Sequence, residues 1–280
     1  KALKDLKPEE RASINLKLKS GVKGVFNLIA TLGGGYVDKL LWDNELITTY
    51  FQRNSQLLAT YKGNNSGTDL ESELRSHTDY DYSRTSTISD IAMPATPGIN
   101  KRYYYFNQSH SATYNQVFRV GKNGELGINA AYLNDRDERS NQSVTTTLLP
   151  DGSKNVVDES FNGILHRNIA NGNITYMQNT ERNYIKEQLK FDWLSTDGYS
   201  NIYAGEDIIQ ENNVENYRLH NLFHLTSRTG SDKGVEFLSK INLEKKPHSL
   251  SVAPNLFPDV IMSEQMFQSA ERRNISTENR

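Results

Sequence analysis

Hydrophobic and polar residues alternate most clearly between residues 173 and 205. The apolar side chains on one face of an extended chain are Ile185, Leu189, Phe191 and Trp193. A helix would scatter these side chains around its axis, so the pattern predicts a β-strand over residues 173–194. The Asp-Gly pair within residues 195–198 favours a tight hairpin turn, and a second strand is predicted from Tyr199.

The same alternation recurs along most of the chain and predicts about nine strands. Their approximate ranges are 24–35, 41–51, 55–62, 102–120, from 126, 173–194, from 199, 214–228 and 234–246. Residues 63–101 and 134–172 are interpreted as long loops, the second with a small hairpin at 150–152, and residues 248–280 lose the period. We therefore predict an all-β fold, an antiparallel up-and-down meander.

The predicted connections differ in length in a regular way. Those after strands two, four, six and eight are short, at residues 52–54, 121–124, 195–198 and 229–233. The connections after strands three, five and nine are long, although those at 36–40 and 210–213 are short. Outer-membrane barrels have short turns at one end and long loops at the other. The pattern therefore favours part of a transmembrane outer-membrane β-barrel over a soluble all-β domain, with its short turns at one end of the sheet.

A barrel also requires a continuous lipid-facing band. We expect one side of the sheet to present Leu189, Phe191, Trp193, Ile128, Ala130, Phe237 and Ile241. Several aromatic residues lie close to the predicted short turns and suit one interfacial belt: Tyr50, Phe51, Phe118, Phe191, Trp193, Tyr199 and Phe237.

Composition narrows the classes of protein that fit. The mean hydropathy is −0.69, and no apolar run approaches the roughly 18 residues of a transmembrane helix. A barrel is compatible with this value because only alternate residues meet lipid. The formal net charge is −2 with both signs interspersed, which does not indicate nucleic acid. The chain has no cysteine and therefore no disulfide or thiolate metal site.

A short motif precedes the first predicted strand. It consists of the pair Ile14 and Asn15, alternating residues, Lys19 and Gly21. Here the sequence resembles TonB-dependent outer-membrane receptors of the Bacteroidetes type, at the junction of plug domain and barrel. It departs from the family pattern at Ala12, where glycine is common, and at Leu18, where threonine is usual.

The resemblance implies an organisation and a function. Residues 1–21 would end the plug domain and link it to the barrel, and residues 22–280 would form a partial barrel. The expected function is import of a solute, such as a siderophore, glycan or peptide, across the cell outer membrane, without enzymatic activity or a cofactor. Expected partners are outer-membrane lipid, TonB through a plug domain outside these residues, and a surface lipoprotein.

Two other classes of protein stay open: a soluble or surface-attached all-β ligand-binding module, and a structural barrel without transport. Since nine strands leave two unpaired edges, we also expect that residues 1–280 are not a complete functional unit.

The chain has no motif typical of a catalytic site. His220 and His224 would lie about 13 Å apart on a strand, too far to share a metal ion. The aromatic run at residues 103–106 suits stacking on a sugar ring or an interfacial belt, and basic residues on the polar faces suit contact with a solute or with the plug. The candidate ligand-binding residues are Tyr103, Tyr104, Tyr105, Arg119, Lys186, Lys190 and Arg218.

Overall fold

The protein forms one large antiparallel β-sheet in a computed structural model, which describes residues 24–71, 90–100, 103–228, 233–256, 259 and 262–280. Its strands are β1 Val25–Tyr36, β2 Leu40–Gln52, β3 Ser55–Asn64, β4 Phe106–Val120, β5 Gly124–Leu148, β6 Lys154–Asn179, β7 Asn183–Tyr203, β8 Asp207–Arg228, β9 Gly234–Ala253 and β10 Met266–Asn279. No helix among these residues is long and apolar enough to cross a membrane.

Each strand pairs with the next in the chain, so the order in the sheet is the order in the sequence. All the pairs are antiparallel. The predicted all-β, up-and-down meander is therefore confirmed, with ten strands in the described part of the chain where the sequence predicted about nine. The sheet is open, with β1 and β10 at its two edges. The interpretation of residues 1–21 as the end of a plug domain lies outside the described residues.

The connections after even-numbered strands are short and share one end of the sheet, which we call the turn end. The predicted turns after β2 and β4 are confirmed, and Gly121 takes the positive φ of 65° that a tight turn requires. The turn after β6 lies at residues 180–182, where Thr180 and Asn183 bond to each other. Most of the connection from β8 to β9 lies outside the described residues.

The predicted turn at residues 195–198 is wrong. These residues lie inside β7, which pairs with β6 on one side and β8 on the other. The predicted connection at residues 210–213 is also wrong, because these residues lie inside β8. As a result, Phe191, Trp193 and Tyr199 do not lie near the turn end, contrary to the prediction for the aromatic belt.

The predicted long loop at residues 134–172 is also wrong, because β5 and β6 run through it as paired strands. The small hairpin at 150–152 is confirmed as the turn between them, with Gly152 at a φ of 85°. Residues 248–280 complete β9 and form β10. In both segments polar residues occupy both faces, so paired strands lack the alternation that a half-buried strand has.

The register sorts the side chains onto two faces. Directly opposed residues share a face, and one row across β5, β6, β7, β8 and β9 contains Ala130, Gly172, Phe191, Leu219 and Leu243. The next row on the same face contains Ile128, Ile174, Leu189, Asn221 and Ile241. Trp193 and Phe237 belong to this face as well, so the predicted orientation of the band is confirmed. We call it the apolar face, and the opposite side the polar face.

Candidate functional site

The polar face is partly covered by the connection between β3 and β4. We call residues 65–71 and 90–100 of this connection the strap. Leu70 packs against Leu133, Ile169 and Leu194, which lie in one row on β5, β6 and β7. Leu133 has no exposed surface and Ile169 has 1%. The interior of the molecule is therefore the polar face under the strap.

The sequence placed residues 63–101 outside the sheet as a long loop. Residues 63 and 64 belong to β3, and the strap lies against the sheet. Residues 72–89 and 101 of that predicted loop lie outside the described residues.

Asparagine side chains anchor the first part of the strap to the sheet. Asn107 accepts a hydrogen bond from the backbone N–H of Gly67 at 2.9 Å and donates to Asn64 at 2.8 Å. Asn64 in turn accepts from the N–H of Thr68 at 3.1 Å. Both asparagines are buried, and these bonds satisfy backbone groups that the strap would otherwise leave unpaired.

An ion-pair cluster ties the strap to the middle of the sheet. The guanidinium of Arg167 on β6 donates to Glu71 of the strap and to Asp135 of β5, each at 2.5 Å. Burial by itself lowers the pKa of Arg167, but the two carboxylates more than reverse this and raise the pKa above its ordinary value. Arg167 therefore stays charged, and loss of this side chain would remove the positive charge that faces two largely buried carboxylates.

Tyr105 belongs to the same cluster. Its hydroxyl donates to both oxygens of Asp135 at 3.0 Å. Burial first, and then the charge of Asp135, raise the pKa of Tyr105, so it remains a hydrogen-bond donor. Tyr103 is exposed and Tyr104 half-buried, so these three candidate residues do not form one stacking surface.

Two glycines in the strands provide room for the strap. A Cβ on Gly163 of β6 would lie 2.5 Å from the sulfur of Met93. A Cβ on Gly198 of β7 would lie 2.5 Å from the Cδ1 of Ile91. A glycine inside a strand often marks the close approach of another segment, so this was the sequence signal for the strap.

The basic candidate residues all lie on the polar face, but the structure does not bring them together. Arg218 pairs with Glu244 at 3.1 Å, and its opposite residue on β7 is Asp192. Lys190 lies one row away, and Lys186 four residues further toward the turn end, about 13 Å along the strand. Arg119 is exposed on β4 beside the turn end. The row of Arg218 and Glu244 therefore contains charges of both signs. The four basic candidate residues do not share one site.

Sequence reasoning missed a set of buried polar residues on the polar faces of β7, β8 and β9. Ser200, Asn212, Asn216 and His248 are all buried. Atoms of each side chain have no hydrogen-bond partner within the described part of the protein. Nothing in their local pattern distinguishes them, since their burial depends on the tertiary structure.

Within the described ranges, no group of three or more His, Cys, Asp or Glu side chains could hold a metal ion. No protein-family model matches the chain, and no curated protein matches it.

Proposed function

We propose that this sheet is a stretch of the wall of an outer-membrane β-barrel, within a TonB-dependent receptor that imports a solute. The apolar face would contact lipid and the polar face would line the lumen. The receptor assignment rests on the resemblance at residues 14–21, which lie outside the described residues, and the barrel wall rests on the sheet itself.

The observation that carries the proposal is the inverted burial of the two faces. In a water-soluble sheet the apolar face is covered by a second layer. Here the apolar face is open, with Phe191 43% exposed and Ile174 47% exposed, while the covered face is the polar one. A bilayer is the environment in which such a band would be buried.

The height of the band also suits a membrane. On β7 it extends over the nine residues from Ile185 to Trp193, and about 9–11 tilted residues cross a bilayer. Tyr132, Trp193 and Tyr217 border it away from the turn end, before polar residues begin on each strand. Aromatic side chains with one polar end favour this interfacial position.

One charge interrupts the band on β7. Glu187 lies on the apolar face in the row of Tyr176 and Phe223, near the turn end of β7, and accepts a hydrogen bond from Asn221. The proposal places it close to the membrane surface, where a charge costs less than at the midplane.

Substitutions at two adjacent residues on opposite faces test whether the sheet is part of a barrel wall. Leu189→Arg would put a charge in hydrocarbon at a cost of about 2–4 kcal/mol near the midplane. Gln188→Arg, the matched control, puts the same charge on the polar face, where Gln188 is half-buried and bonds to Asn173. We expect Leu189→Arg to reduce the membrane-inserted fraction strongly and Gln188→Arg to change it little, measured by membrane fractionation and proteinase resistance.

Equal loss at both positions, or a stable protein recovered from the aqueous fraction without detergent, would contradict the barrel wall.

The receptor assignment has its own test. The full chain should copurify with TonB after crosslinking in cells, and an inserted protein that never does so would be a barrel of another kind.

A further inference from the structure

On β9 and β10 the apolar band ends at a pair of cations. The last apolar residues of the band on these strands are Leu243 and Ile275, which are direct partners. The next positions on the same face, away from the turn end, are Lys245 and Arg273, also direct partners. Their side chains are 50% and 74% exposed. Like charges directly opposite each other destabilise a sheet, so this pair has a cost that a bound anion would offset.

The cation pair lies at the level of the aromatic residues that border the band. Lys245 is opposite Tyr217 on β8, and Tyr217 is opposite Trp193 on β7. These side chains and Arg273 therefore form one row across four strands. In the proposed barrel the turn end faces the periplasm, so this row lies at the headgroup level of the outer leaflet.

A single carboxylate lies between the two cations. Glu271 on β10 accepts a hydrogen bond from the guanidinium of Arg273 and lies 3.6 Å from the ammonium of Lys245, too far for a hydrogen bond. Among the described residues, Glu271 is the one carboxylate within 4 Å of either cation. The neighbouring Glu215 accepts from the hydroxyl of Tyr217 at 2.8 Å. One carboxylate cannot neutralise two cations, so the pair keeps an excess of positive charge.

The adjacent residues on the polar face are also basic, but their surroundings differ. Lys246 is 17% exposed and pairs with Glu244 at 3.1 Å. Arg272 is opposite Lys246 and exposed. Two basic pairs therefore lie at the same height on β9 and β10, and only Lys245 and Arg273 are on the face that would contact lipid.

We propose that Lys245 and Arg273 bind the phosphate of an anionic lipid in the outer leaflet, whose acyl chains lie on Leu243 and Ile275. A guanidinium is a planar fork that donates two parallel hydrogen bonds to phosphate oxygens, and the ammonium supplies a further donor. The aliphatic parts of both side chains can lie along the band while their charges reach the headgroup. This inference rests on the proposed function, because it requires the apolar face to contact lipid.

The test uses the full polypeptide, extracted from outer membranes in an uncharged detergent. Native mass spectrometry follows the first bound lipid while phosphatidylglycerol or phosphatidylcholine with the same acyl chains is added. We expect phosphatidylglycerol to bind about tenfold more tightly, because the choline group brings a positive charge close to two cations. Inorganic phosphate at the same concentrations should not compete, since it lacks the acyl chains that bury apolar surface on the band.

Arg273→Gln and Arg272→Gln are a matched pair of variants. Both arginines are exposed neighbours on β10, and both variants lose one positive charge, but on opposite faces of the sheet. Arg273→Gln should remove the preference for phosphatidylglycerol, whereas Arg272→Gln should keep it. Lys245→Gln is a second variant of the site and should weaken the preference. Heat-modifiability without added lipid should be unchanged in all three, which verifies that they fold.

Several outcomes would overturn the inference. They are equal binding of the two lipids by the wild-type protein, equal loss of the preference in Arg272→Gln and Arg273→Gln, or competition by inorganic phosphate, which would indicate a site for a soluble anion. A protein that inserts into membranes but does not distinguish the lipids would overturn this site and leave the proposed barrel intact. A protein that stays in the aqueous fraction without detergent would overturn both.

Discussion

Gly163 and Gly172 lie on the same strand but have opposite surroundings. A Cβ on Gly163 would meet Met93 at 2.5 Å and Pro94 at 3.0 Å, whereas no described atom lies within 4 Å of a Cβ on Gly172. Gly163 is on the polar face under the strap, and Gly172 is in the apolar row of Phe191. At the residue scale, the strap can therefore pack against β6 only because residue 163 has no side chain.

Gly163→Ala should destabilise the contact of the strap by about 1–3 kcal/mol, because an added methyl group in a packed site forces its neighbours to move. We expect faster proteolysis within residues 90–100 of the inserted protein, without loss of the sheet. Gly172→Ala is the control, and it should leave the cleavage rate unchanged. If both variants are cut at the wild-type rate, Met93 does not rest on β6.

At the scale of elements, the hairpin of β5 and β6 consists of two parts with different support. Near the turn end both strands have further neighbours in the sheet. Beyond Glu138, β5 has no partner in β4, and beyond Ser160, β6 has none in β7. The outer part is thus a two-stranded ribbon, with Val144, Leu148 and Val156 exposed. An isolated pair of strands is only marginally stable in water.

Replacing residues 143–159 with a two-residue Asn-Gly turn should therefore leave membrane insertion unchanged, because the ribbon supports no other described strand. In the unaltered protein, ribbon amides should exchange hydrogen orders of magnitude faster than those between β6 and β7. The amides between β6 and β7 in the same sample serve as the control. Loss of insertion on shortening would mean that the ribbon directs assembly.

At the scale of the whole molecule, the sheet has two edges, β1 and β10, that pair with no further strand among the described residues. β1 is exposed along its whole length, including Phe26 and Leu32. In hydrocarbon each unpaired group costs several kcal/mol, so an open sheet cannot span a bilayer. If the sheet is a barrel wall, both edges must pair with further strands, from the same polypeptide or from other copies.

Residues 1–280 expressed alone should therefore give no monomeric, heat-modifiable and membrane-inserted protein. The measurement is the shift in electrophoretic mobility between unheated and boiled samples of the outer-membrane fraction. A polypeptide that supplies partner strands for both edges should show the shift. A monomer of residues 1–280 that shows it would mean that β1 and β10 close on each other.

Much of the fold follows from local patterns in the sequence. The alternation of Leu189, Phe191 and Trp193 with polar residues requires a sheet with one apolar face, and the same pattern predicts the neighbouring strands and their common orientation. Short turns such as residues 121–123 are also local, because a glycine with positive φ specifies them. These features depend on residues that are close in the sequence.

The tertiary structure alone decided what covers the polar face. Residues 195–198 have the composition of a turn, yet Gly198 lies within β7, where Ile91 rests on it from more than 100 positions away in the chain. The long strands through residues 134–172 depend on pairing with neighbours, since their own residues do not alternate. Contacts between distant segments also determine the surroundings of Arg167, Ser200, Asn212 and Asn216. Burial and register arise from contacts between distant segments, so a local pattern of residues does not predict them.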